Sequence, residues 1–131
     1  MNAIDEAVLA VIEMMNLSLP FAKVTRGALP SGNGITCEVG PSSPYERYMD
    51  KSLDLPLDLT INGKHKKLDV LSTNLNRLFY DLTMRKTYPS GEGWSITDIT
   101  VDTMPQVIGR ESDNSWLMAG SLSVKLYWRG E

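Results

Sequence analysis

Leu53-Asp54-Leu55-Pro56-Leu57-Asp58-Leu59-Thr60-Ile61, residues 53–61, sets an aliphatic side chain at every odd position and a polar residue or proline at every even one. A strand turns successive side chains to opposite faces, so this run carries one apolar and one polar face. Such a strand belongs to an antiparallel sheet covered on one side only. Pro56 has no N–H for a ladder, which predicts an edge strand or a bulge. Asn62-Gly63 follows as a turn signal. Over residues 66–84 the period changes. Leu68, Leu71, Leu75, Leu78, Phe79 and Leu82 trace one stripe of a helix, the face that would lie on the sheet.

Outward from this pair, residues 3–16 read as an amphipathic helix. Ile4, Ala7, Val8, Val11, Ile12 and Met15 share a face, with Asn2 as N-cap and Asp5 and Glu6 at the positive end of the dipole. Phe21 to Arg26 and Ile35 to Val39 read as two short strands around the turn-forming cluster Pro30-Ser31-Gly32-Asn33-Gly34. Residues 40–52, with two prolines and three serines, read as a loop. Within it Tyr45, Arg47 and Tyr48 combine contact area with polar tips, a composition favoured at interfaces. The same tyrosines would equally pin the loop to its own domain.

The last third reads as β-structure. Trp94 and Ile96 share one parity, Ile99 and Val101 the other, which predicts a bulge near Thr97 or Asp98. Met104-Pro105 is expected to bend the chain, and residues 109–115 to form a polar loop. Trp116, Met118, Gly120, Leu122, Val124, Leu126 and Trp128 then alternate along one face. At ~3.3 Å per residue this strand spans ~40 Å, long for a domain of this size. Its ends, at Trp116 and Trp128, are expected to project and pair with a neighbour. The sum is an α+β fold, a mostly antiparallel sheet with two helices packed on one face, in a single domain over residues 1–131.

Composition supports a folded core: 42% of the 131 residues are hydrophobic and 22% charged, outside the disordered range. The net charge of −3 argues against a general nucleic-acid coat, whose affinity comes from neutralising phosphate. One cysteine excludes an intrachain disulfide. The first residues lack the basic region of a secretory signal, and no apolar run reaches the ~20 residues of a membrane span. These features predict synthesis in the cytoplasm without a membrane anchor.

Catalytic chemistry finds little support. Gly32-Asn33-Gly34 lacks the lysine and helix of a phosphate loop. Cys37 alternates with Ile35 and Val39 and reads as a small buried hydrophobe. His65 reads as a solvated residue at a helix start. One cysteine and one histidine build no common zinc site. Asp98, Asp102, Glu111 and Asp113 are scattered through strands and loops and read as solvated acids. Lys64, Lys66 and Lys67 form a small basic cluster, read as a solvated turn or as a contact for an acidic partner. No catalytic residue, cofactor or metal is predicted.

Two segments carry a resemblance. One runs Tyr45-Glu-Arg-Tyr-Met-Asp-Lys-Ser-Leu-Asp-Leu-Pro-Leu-Asp-Leu into the helix Leu68 to Leu82. The other runs Trp94-Ser-Ile-Thr-Asp-Ile-Thr-Val-Asp-Thr-Met-Pro-Gln-Val-Ile-Gly-Arg-Glu-Ser-Asp-Asn-Ser-Trp into the last strand. Over nearly its whole length the chain resembles the minor capsid and tail-terminator (head–tail joining) proteins of long-tailed phages and prophages. The resemblance implies a structural role in the virion after assembly in the host cytoplasm, and no catalysis. It implies a ring of identical copies, commonly a hexamer, that ends tail-tube growth and meets the head connector. DNA would pass through without specific binding, and an acidic lumen would repel it. Asp54 and Asp58, on the polar face of their strand, are the lumen candidates. Tyr45, Arg47, Tyr48, Trp116 and Trp128 are the interface candidates. A competing reading is an adaptor or secretion-system binding module of similar α+β fold.

Overall fold

The computed structural model describes residues 3–17, 22–27, 32–39, 46–47, 53–85, 87–111 and 114–128. In chain order the elements are α1 (Ala3–Leu17), β1 (Val24–Arg26), β2 (Gly34–Val39), β3 (Glu46–Arg47), β4 (Leu53–His65), α2 (Leu68–Thr83), β5 (Ser90–Gly91), β6 (Trp94–Arg110) and β7 (Trp116–Trp128). The strands make one sheet in the order β1-β2-β4-β7-β6-β5, with β3 pairing β4 off this path. Every pairing is antiparallel except β1 with β2. The two short strands on either side of the 30–34 cluster therefore run in the same direction, so they do not pair as a hairpin.

The alternation that defines β4 buries Leu57, Leu59 and Ile61, and that of β7 buries Met118, Leu122, Val124 and Leu126. Against them α2 lays Leu71, Leu75, Leu78, Phe79 and Leu82, all almost fully buried. The α1 face adds Ala7, Val8, Val11, Ile12, Met14 and Met15 to the same cluster. Removing these side chains from water is the main driving force for the fold. Helix α1 touches both terminal strands, β1 and β5, and also α2 and β6. Those strands stand at opposite ends of the sheet order, so the sheet curls and α1 crosses its open side. Asn16 fastens α1 to β1: its Oδ1 accepts the Val24 N–H at 2.8 Å.

Several local expectations are corrected by the packing. Asn62-Gly63 makes no turn. Both residues lie inside β4, paired with Thr36 and Ile35 on one side and Ala119 and Met118 on the other. The glycine leaves room for the helix: a Cβ at Gly63 would stand 2.7 Å from Leu71 Cδ1, so the leucine would have to shift as α2 crosses the strand. Nor is β4 an edge strand, since β2 and β7 flank it. Pro56 is nonetheless accommodated by a local edge. β2 pairs only with residues 59–64 and β3 only with 53–54, so among the described residues Leu55 to Asp58 have a partner on the β7 side alone. The missing N–H costs least where no ladder runs.

β6 runs through Met104-Pro105 as far as Arg110, longer than expected. The bulge predicted near Thr97 is present as a register shift between Ile96 and Asp98, and further shifts fall at 101/103, 103/106 and 107/109. Excess residues on one strand are absorbed as bulges, so the strand continues where its parity is lost. β7 is the centre of the sheet, and its ends do not project: Trp116 pairs with His65 and Arg110, and Trp128 with Leu53 and Trp94.

Candidate interface surfaces

Of the residues singled out for contact with a partner, Tyr45 and Tyr48 lie outside the described residues. Arg47 is placed by its backbone, which pairs with Leu53 in the short strand β3, where a loop was expected. Trp116 and Trp128 are half-buried and pack on the core from opposite ends of β7.

Around Trp116 the chain is tightly braced. The Arg110 guanidinium lies 4.5 Å over the indole ring, a cation–π contact of about 0.5–1 kcal/mol when exposed. Lys64 Nζ lies 3.4 Å from Glu111 Oε1, with the lysine side chain only 5% exposed. Burial of an ammonium requires such pairing. Lys64 is thus a buried residue of β4, not part of a solvated turn. The loop after Arg110 closes through Glu111, whose N–H donates to the Ser115 carbonyl at 2.8 Å, and Asn114, at φ 68, supplies the left-handed residue it needs.

Asp54 and Asp58 are half-buried on the face of the sheet away from α2. Cross-strand pairing brings further acids to that face. Pro56 pairs with Lys125, and Lys125 pairs with Asp98, so the three share one side with Asp54 and Asp58. Asp102 joins them by accepting the Ser121 hydroxyl at 3.1 Å, Ser121 being two pairs further along the same face of β7 than Ser123 is from Lys125. Four aspartates and Lys125 thus occupy one surface. Asp98 and Asp102 were read as scattered because parity along β6 is reset by its bulges; the parity change at Thr97 was the available signal.

The two nucleophile-type side chains are poorly placed for chemistry. Cys37 is fully buried opposite Ile61, and burial pushes its thiol up to about 12, so the reactive thiolate is suppressed. His65 is half-buried at the end of β4, and its Nδ1 accepts the Lys67 N–H at 2.9 Å, at the helix start where it was expected.

A second surface went unnoticed in the sequence. Seven large hydrophobic residues are exposed among those described: Leu9 and Leu17 on α1, Tyr80 and Met84 at the end of α2, and Met104, Val107 and Ile108 on β6. Tyr80 and Met104, with Asn76, Phe79, Thr83 and Val101, line a hollow of about 400 Å³ between α2 and β6. Met104 and Ile108 both fall at register shifts and have no partner on β7. β5 pairs with β6 only at Trp94 and Ser95, so the rest of β6 is an open edge among the described residues.

No helix is long and apolar enough to cross a membrane among the described residues. No protein-family model matches the chain. No curated protein matches it in sequence. Its fold is similar to that of a chain in a solved structure of the virion of a native gene transfer agent particle, with TM-score 0.70 and 11% identity, over 97% of this chain and 99% of that one. What the two chains share is the α+β fold, end to end.

Proposed function

We propose that this chain is a structural, non-enzymatic component of a phage-like virion, acting at the head–tail junction as a ring-forming tail terminator. The observation that carries the reading is the end-to-end likeness in fold to a chain of a gene transfer agent virion. The order of strands and loops that resembles the tail-terminator proteins supports the finer assignment. In this reading the chain assembles in the host cytoplasm as a ring of identical copies, a hexamer by the resemblance, and contacts tail-tube and head-connector proteins.

Two features of the molecule suit the role. A head-to-tail contact closes into a ring when its rotation permits, and needs two different surfaces on one chain. The apolar β6–α2 flank and the α1 surface are two such regions. The acidic sheet face around Asp54 and Asp58 provides a surface past which DNA slides without adhering, because it attracts no phosphate.

The test is solution mass by light scattering over a concentration series, with negative-stain images of the largest species. Closed rings with a central hole are expected. A chain that stays monomeric throughout, and that also fails to cap purified tail tubes, would overturn the assignment.

A further inference from the structure

Five strands begin or finish at the end of the sheet where β4 runs into α2. There His65 pairs with Trp116, Trp116 with Arg110, and Gly34 with Lys64. Lys23 comes just before β1, whose first residue Val24 pairs with Ile35, so it lies level with Gly34. Register thus brings Lys23, Lys66, Lys67 and Arg110, all exposed, to one end of the sheet. They span at most about 19 Å, four strand spacings of ~4.8 Å. In the sequence only the run from Lys64 to Lys67 is visible as a cluster. Lys64 itself is buried and paired with Glu111. None of the other four makes an ion pair among the described residues. Asp69 is the exposed acid nearest to them in the chain, and Asp113, in the loop after Glu111, lies outside the described residues.

Two of these cations work against the fold. Lys66 and Lys67 stand at the positive end of the α2 dipole, where a cation is unfavourable, and Lys67 holds the N-cap position without capping it. Serine or aspartate would serve the helix better there. A local rule broken with no gain to folding points to a use outside the chain. Arg110 is preorganised by other means. Its guanidinium lies 4.5 Å over the Trp116 ring, which steadies the planar N–H fork that matches a carboxylate. The chain as a whole carries a net charge of −3, so this concentration of cations is local.

We infer that this end of the sheet docks an acidic surface of a partner protein, with Lys66, Lys67 and Arg110 as the principal contacts and Lys23 at the margin. Phosphate also attracts cations, but nucleic acid fits less well. A phosphate backbone presents one sign of charge throughout, and Asp69 would face it two residues from Lys67. Strands also point at right angles to the normal of their sheet. With the aspartate face lining a channel, the basic end looks along the ring axis or around the ring, away from the DNA. The inference rests on the ring reading for that exclusion alone, and the binding assay below decides it whether or not rings form.

The test titrates the full chain against a short fluorescein-labelled polyglutamate peptide and, separately, a labelled single-stranded DNA of equal charge, by anisotropy at low salt. The chain is expected to bind the peptide more tightly than the DNA, and to release it as salt screens the contact. Lys66→Gln with Lys67→Gln is expected to weaken peptide binding at least about fivefold, while Lys125→Gln, an exposed cation on the aspartate face, leaves it unchanged. The double variant should melt no lower than the wild type, because the helix start loses an unfavourable charge, so lost binding is not lost folding. Equal binding by wild type and double variant would overturn the inference, as would an equal loss in Lys125→Gln, which would mean that charge anywhere suffices. Tighter binding of the DNA would make the surface a nucleic-acid site and overturn the protein partner. Loss of self-association in the double variant, seen by light scattering, would make the occupant a second copy and overturn the assignment to a different protein.

Discussion

Glu38 shows how a single side chain ties β2 to its surroundings. Its carboxylate accepts the Val39 N–H at 3.0 Å and the Arg26 guanidinium at 3.2 Å, and Arg26 reaches Asp5 of α1 at 2.9 Å. The backbone bond first, and then Arg26, hold the Glu38 carboxyl below its ordinary 4.5. A carboxyl lowered by folding adds stability above its unfolded value and loses it as pH falls through the folded value. Glu38→Gln keeps the shape and removes the charge. The wild type is expected to melt slightly higher than this variant at neutral pH, with the gap closing below pH 4.5. Thermal melts of both across that range check it; a gap independent of pH would mean that the charge contributes nothing. The difference is small because the group is exposed and screened. Gly63 and Gly120 make a different residue-scale point. A Cβ at Gly120 would stand 2.8 Å from Phe79 and 2.9 Å from the Pro105 backbone nitrogen, so both glycines mark where α2 bears on the sheet.

At the scale of elements, α2 is strongly held by its stripe and weakly begun at its N-terminus. Lys67 is the N-cap residue, in extended backbone geometry, and makes no side-chain cap. Its charge sits at the positive end of the helix dipole, as does that of Lys66. The C-terminus is better supplied: the Tyr88 hydroxyl donates to the Leu82 carbonyl at 2.9 Å, and the Met84 N–H to Tyr80 at 3.0 Å. Lys67→Ser is therefore expected to stabilise the protein by about 1 kcal/mol, since serine accepts from an orphan N–H of the first turn. A higher denaturant midpoint at unchanged slope is the result that supports this. An unchanged midpoint would show that the Asp69 carboxylate, which already accepts the Val70 N–H at 3.0 Å, supplies the start of the helix.

For the molecule as a whole, the division of faces matters most. One side of the curled sheet holds the helices, and the other displays Asp54, Asp58, Asp98 and Asp102 around Lys125. If that face lines the channel of the proposed ring, reversing its charge should make the ring adhere to DNA. Rings carrying both Asp54→Lys and Asp58→Lys are expected to retain linear DNA at low salt and release it steeply as salt rises, whereas wild-type rings retain none. Gel-shift assays on assembled rings separate the cases. Variant rings that still ignore DNA would mean the acidic face points elsewhere.

The alternation at 53–61 and 116–128, and the 3.6-residue stripes of both helices, were legible because each reports a local period that burial on one face enforces. So was the bulge at Thr97, as a break in that period. The amino-acid sequence by itself thus determined two helices, long antiparallel strands and the α+β class. Only tertiary structure decided that Asn62-Gly63 lies within a strand, because the same dipeptide serves a turn or a close helix crossing and packing chooses between them. Tertiary structure also decided that β7 is central, that Asp98 and Asp102 join Asp54 and Asp58, and that Met104 and Ile108 stand exposed beside α2. Each of these depends on which strands become neighbours and in what register, and register is set by contacts between residues far apart in the chain.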